Sequence, residues 1–248
     1  MVLIAQETTL YGIDLYGKKR LHELLQELCK INSLVWIRVL YCYPEEIYDE
    51  LIDIFAAEKK ICKYIDIPIQ HCSNNILKKM GRRTSKEDII AIVKKLRKKV
   101  PDITIRTTLI TGFPGETNED HEEVLEFVDR MEFDRLGVFT YSAEEDTPAA
   151  TMDEQIDEEI KKERLNEIMS LQQEISYDKN QRLIGKEMMV IIEGYMPDDV
   201  VYVGRTYRDT AGIDGNVFIK SDSTLMSGDI ITVKIISANE YDLIGEML

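Results

Sequence analysis

The chain of 248 residues has room for one large domain, or for a large and a small one. Its formal charge of −15, from 31 basic and 46 acidic residues, argues against a surface that binds nucleic acid through its phosphates and favours a basic protein partner. No apolar run approaches the roughly 18–20 residues that cross a bilayer, and no charged-then-apolar leader opens the sequence, so the reading is a cytoplasmic protein without membrane attachment.

Strands are predicted at Val2–Ala5, Trp36–Tyr41, Tyr64–Ile69, Thr104–Ile110 and Leu136–Tyr141, with helices between them. The first helix runs about Lys18–Lys30, with Leu21, Leu24, Leu25 and Leu28 on one face. Pro44 opens a second helix through Ala57, as proline is tolerated in a first turn. Ser85-Lys86-Glu87-Asp88 and Thr117-Asn118-Glu119-Asp120 read as capping boxes, the first opening a helix to Lys99. Alternating strands and crossover helices imply a parallel sheet. Five strands fall short of a complete eight-stranded barrel, so the fold predicted is α/β, a partial TIM-like barrel over 1–156. A buried parallel strand at Val2 is either an edge or the sequel of an earlier part absent from this chain, and we expect the latter.

A polar loop from Ala143 to Ala150 ends this part, and 157–183 reads as a long connecting helix. Over 184–248 the pattern changes to short strands at Met188–Glu193, Val200–Arg205, Asn216–Ile219, Asp229–Ile236 and Tyr241–Glu246, punctuated by glycines. That is the signature of a small antiparallel β-barrel of the OB type.

Three polar segments follow apolar strands: Gln6-Glu7-Thr8-Thr9, Gln70-His71 and Thr111-Gly112-Phe113-Pro114-Gly115-Glu116-Thr117. In a parallel sheet these ends share one rim, and the Gly-Pro-Gly turn before a helix offers backbone N–H groups to an anionic ligand. Cys29, Cys42, Cys62 and Cys72 show no metal-finger or CxxC spacing and read as reduced, mostly packed thiols, and no metal site is assigned. Trp36 reads as core, and the cations of Lys94–Lys99 as a solvated helix face.

Together with Asp66-Ile67-Pro68-Ile69-Gln70-His71 and Met80-Gly81-Arg82-Arg83, these segments resemble the radical S-adenosylmethionine (SAM) methylthiotransferases, and the C-terminal barrel resembles their TRAM domain. Two branches of that family compete, one modifying an adenosine in transfer RNA, the other the β-carbon of an aspartate in the twelfth protein of the small ribosomal subunit. The acidic run Glu144-Glu145-Asp146, the segments Ile213–Phe218 and Glu240–Gly245, and a barrel with five basic against eleven acidic residues favour the ribosomal-protein branch.

The resemblance implies SAM and two [4Fe–4S] clusters, with a CxxxCxxC loop and further cysteines upstream of Val2, so this chain alone is expected to be inactive. It places Gln6 and Glu7 against the methionine amino group and Arg106 against its carboxylate. Strand alternation puts Arg106, Thr108 and Ile110 on one face, inward or outward. Gly112, Pro114 and Gly115 would shape the loop against the adenosyl part, with Gln70, His71, Tyr141 and Ser142 on the substrate side. The electron donor stays open. A non-catalytic module that binds a ribosomal protein is the alternative from a different class.

Overall fold

The computed structural model describes residues 1–248, which divide into two compact units, Met1–Gln172 and Gln173–Leu248. In the first, strands β1 (Val2–Leu3), β2 (Ile37–Val39), β3 (Ile61–Gln70), β4 (Thr104–Thr111) and β5 (Arg135–Thr140) form one wholly parallel sheet in sequence order. β1 is an edge, paired on one side to β2. β3 is buried along almost its whole length, as expected for a strand covered on both faces.

The crossovers hold α1 (Ile13–Tyr16), α2 (Leu21–Cys29), α3 (Asp49–Ala57), α4 (Asn74–Lys79), α5 (Lys86–Lys99) and α6 (Asn118–Met131). Leu21 and Leu25 of α2, Leu51 and Phe55 of α3, and Val124, Phe127 and Val128 of α6 are buried. Both capping boxes form. The Ser85 hydroxyl accepts from the Asp88 N–H and the Thr117 hydroxyl from the Asp120 N–H, while each aspartate accepts from its cap's N–H. A cap of this kind contributes about 1 kcal/mol.

Several expectations need correction. Pro44 opens only a short 3₁₀ turn, and the α-helix proper starts at Asp49. The short helices α1 and α4 were not predicted, since four and six residues are too few to show a helical apolar period. Trp36 is half-buried instead of core, because β2 begins one residue later.

Helix α7 (Glu158–Gln181) gives its first turns to the first unit and its last to the second. In the second unit Asn180, fully buried, donates to the Asn239 and Glu240 carbonyls, and Gln181 donates to that of Ala238. Strands β6 (Glu187–Met196), β7 (Val201–Arg205), β8 (Val217–Lys220), β9 (Ile230–Ala238) and β10 (Leu243–Met247) close into a barrel in the order β10-β8-β7-β6-β9. Four pairings are antiparallel, and the β8–β10 pair is parallel. Val190, Ile192, Val217, Ile219, Val233 and Ile235 fill it, which explains the alternation read from the sequence. No helix is long and apolar enough to cross a membrane.

Candidate functional site

The C-terminal ends of the parallel strands share one edge. Three neighbouring strands end in a left-handed residue there: Tyr41 after β2 (φ 59°), Gln70 at the end of β3 (φ 71°) and Gly112 after β4 (φ 71°). A left-handed backbone costs a non-glycine residue about 1 kcal/mol or more, a strain concentrated in proteins where ligands bind. Beside Gln70 lies a cavity of about 640 Å³. Its walls are Thr108 and Ile110 from β4, Phe139 and Thr140 from β5, then Tyr141 and Ser142. Lys79 at the end of α4 closes it with Met80, Gly81 and Arg82 just beyond, Phe113 after β4, and Thr147, Pro148 and Ala149 after β5. Phe113 and Tyr141 meet edge to face, with ring centroids 5.2 Å apart. The Tyr141 hydroxyl is buried without a hydrogen-bond partner.

Of the residues selected from sequence, Gln70, Thr108, Tyr141 and Ser142 line this cavity. The others lie elsewhere. His71, next in chain to Gln70, is 1% exposed, accepts the Ser73 N–H on Nδ1 (3.0 Å), and holds Nε2 3.8 Å from Glu116. Burial pushes its pKa down to about 4, with Asp120 acting in the opposite direction. Arg106 shares a strand face with Thr108 and Ile110, and so faces the cavity side. Its guanidinium pairs with the buried Asp66 at 2.8 Å. Gln6 is exposed at the end of β1. Glu7 spends both carboxylate oxygens on its own chain, accepting the Thr9 N–H (2.8 Å) and the Tyr43 N–H (2.9 Å), which ties the ends of β1 and β2. Burial nevertheless pushes its carboxyl pKa up.

The turn after β4 corrects the sequence reading most. Its N–H groups are not offered to a ligand. Glu116, with a side chain 1% exposed, folds back and accepts the N–H groups of Gly112 (2.5 Å) and Phe113 (3.2 Å) and the Thr111 hydroxyl (3.3 Å). Arg164 of α7 completes the set at 3.0 Å and also donates to Asn118. The chain supplies its own anion to the concavity, and burial pushes that carboxyl's pKa up despite four donors. Gly112 and Gly115 are needed for a different close approach. A Cβ on Gly112 would meet the Lys161 stem, and one on Gly115 the Lys79 ammonium and the Glu154 carboxylate. Gly112→Ala combines left-handed strain with that overlap and is expected to destabilise the first unit by about 2 kcal/mol. A urea midpoint unchanged from wild type, read from the single tryptophan, would count against it.

Sequence reasoning missed Met80, Arg82, Phe113 and Phe139 as cavity walls, and Lys161 and Arg164 as buried cations. Phe113 stood inside the quoted motif, and Ile110 was reachable from its alternation with Thr108. An iron–sulfur cluster needs thiolates. Burial raises the pKa of Cys42 and Cys72, and no three His, Cys, Asp or Glu side chains gather to hold a metal. These residues do not fit a cluster. The cavity has largely apolar, partly aromatic walls edged by hydroxyls, one amide and the cations of Lys79 and Arg82, a lining that suits a ligand with an aromatic part and a polar edge.

This parallel sheet, with its site at the strand ends, is the core of a known class. Residues 2–128, just over half the chain, match the sequence profile of the radical SAM superfamily, and residues 184–248 match that of the TRAM domain. The chain belongs to the radical SAM superfamily. It is 56% identical, over 99% of its own length and 56% of the relative's, to a Lachnoclostridium phytofermentans protein named ribosomal protein uS12 methylthiotransferase RimO. A Clostridium perfringens protein of the same name is 52% identical over 99% of this chain and 54% of its own. The chain thus spans about half the length of the curated relatives it matches. A crystal structure of Streptococcus suis SuiB bound to S-adenosylmethionine aligns with 68% of this chain and 34% of its own, at 16% identity and a TM-score of 0.45.

Proposed function

We propose that the chain is the larger part of the catalytic core, together with the TRAM barrel, of a methylthiotransferase that modifies the β-carbon of an aspartate in ribosomal protein uS12. The observation that carries this reading is the 56% identity to proteins of that name along 99% of the chain, cavity walls and barrel included. The barrel's charge supports a protein substrate. Five basic and eleven acidic residues over 184–248 repel phosphates and attract a basic surface. Activity beside the ribosome in the cytoplasm goes with this reading.

Bound at this site and split by one electron from a cluster outside this chain, S-adenosylmethionine would supply the radical that takes a hydrogen atom from the substrate. The chain's own residues bind and orient. Thr108 and Ile110 floor the cavity, Phe113 wall one side, and Gln70, Tyr141 and Ser142 face the incoming segment. Gln6, exposed at the first strand end, is the free acceptor for the methionine amino group, whereas Glu7 holds the backbone that presents it. Arg106, held by Asp66, lends positive charge on the cavity side. The two clusters of this reading draw their thiolates from the part of the relatives' length that this chain does not span.

The test joins this chain to the N-terminal remainder of the Lachnoclostridium relative and reconstitutes the hybrid anaerobically. It is then offered uS12 and, separately, transfer RNA. Mass spectrometry is expected to show a methylthio group on one aspartate of uS12. Modification of the transfer RNA alone would replace this reading with the tRNA branch. If neither changes while uS12 is still retained, the chain is a binding module.

A further inference from the structure

Helix α7 reaches into the site from outside the sheet. Two of its cations, Lys161 and Arg164, are 4% and 5% exposed, which is rare for these residue types unless paired. Arg164 backs Glu116, as described. Lys161 spans the ends of two strands. Its aliphatic stem lies in the cradle that Gly112 leaves open after β4. Its ammonium donates to the Tyr141 carbonyl beyond β5 (3.0 Å) and stands 5.3 Å from the centroid of the Tyr141 ring. The Tyr141 N–H donates in turn to the Thr111 carbonyl at 2.8 Å. One side chain therefore locks the Gly112-Phe113 turn to Tyr141, and Phe113 and Tyr141 are the aromatic wall of the cavity.

We infer that Lys161 is a positioning residue of the site: it acts through Tyr141 and Gly112 and sets the depth of the aromatic wall against which the ligand packs. It rests on the reading of this cavity as the place where substrate is held. The other partner of Lys161, Glu158 at 2.6 Å, is exposed and contributes little to the lock.

The experiment uses Lys161→Met, which keeps the stem and removes the charged donor, with Glu158→Gln as the control. In the reconstituted hybrid, Lys161→Met is expected to raise the KM for uS12 about tenfold, the size of one lost charge-assisted hydrogen bond, with kcat within about threefold of wild type. Lys161→Arg is expected to recover part of the loss, and Glu158→Gln to change nothing. Unchanged KM in Lys161→Met, or an equal loss in Glu158→Gln, would overturn the assignment.

A second arm needs no turnover. In this chain alone, Lys161→Met is expected to speed amide exchange at Tyr141 and shift its ring resonances, leaving those of 184–248 in place. Tyr141 signals identical to wild type would also overturn it. If the wild-type hybrid leaves uS12 unmodified, the proposed function falls while this second arm still decides the role of Lys161.

Discussion

Replacing Glu116 by alanine is expected to destabilise the first unit by about 4 kcal/mol, the range found when one partner of a buried ion pair is removed. The carboxylate accepts from two backbone N–H groups and a hydroxyl, is the carboxylate paired with the Arg164 guanidinium, and its side chain is 1% exposed. Its loss leaves Arg164 charged at 7% side-chain exposure and strands the Gly112 and Phe113 donors away from water. Glu116→Gln keeps the shape but sets an amide NH₂ among donors, so it should fall between alanine and wild type. Trp36, the only tryptophan, lies in the first unit and reports its unfolding in urea separately from the barrel. Glu116→Ala within 1 kcal/mol of wild type would show that the turn does not depend on this carboxylate.

The second large effect concerns acid. His71 is buried as the neutral imidazole, with its pKa held near 4 against an ordinary 6.5. Above pH 6.5 neither folded nor unfolded chain carries the proton, and this group costs nothing. Between pH 6.5 and about 4 the unfolded chain takes a proton that the folded chain refuses, so stability falls across that window and levels off below it. The gap corresponds to roughly 3 kcal/mol. Asp120, Glu116, His121 and Arg164 surround the ring and act on its charge as well, so the contribution is best read as a difference. His71→Asn, whose Oδ1 can replace Nδ1 as acceptor for the Ser73 N–H, is expected to lose this part of the acid sensitivity. Unfolding free energies of wild type and variant, measured from pH 7 to pH 4, should converge by that amount as the pH falls. Parallel curves would refute the assignment.

The sheet was legible because its signals are local and strong. β3 is largely apolar, β4 is rich in β-branched residues, and the boxes at Ser85 and Thr117 mark helix starts to the residue. The rim was legible as a set of strand ends, and Gln70, Thr108, Tyr141 and Ser142, selected from it, line the cavity there. What the sequence hid was who occupies the Gly-Pro-Gly turn. A glutamate three or four residues on can cap a ligand site or fill it, and only the fold shows Glu116 turned inward. The buried cations were hidden for a related reason. Over 158–164 six of seven residues are charged, and residue type alone does not separate the buried Lys161 and Arg164 from the exposed Glu159 and Lys162; only their helical spacing from Ile168 does. The parallel closure of β8 on β10 is likewise a matter of topology, since alternation along a strand says nothing about its neighbour's direction.

The break between the two units at Gln172 decides where the chain could be recombined with a relative's. A recombination that swaps the C-terminal barrel between relatives at the start of α7 would import a foreign Lys161 and Arg164 along with it, and with them the fastening of another chain's cavity wall. A crossover placed after Gln172 leaves both cations with the sheet they hold. Hybrids spliced at that point should inherit the barrel's charge while keeping the Lys161 and Arg164 contacts that fasten the cavity wall of the recipient.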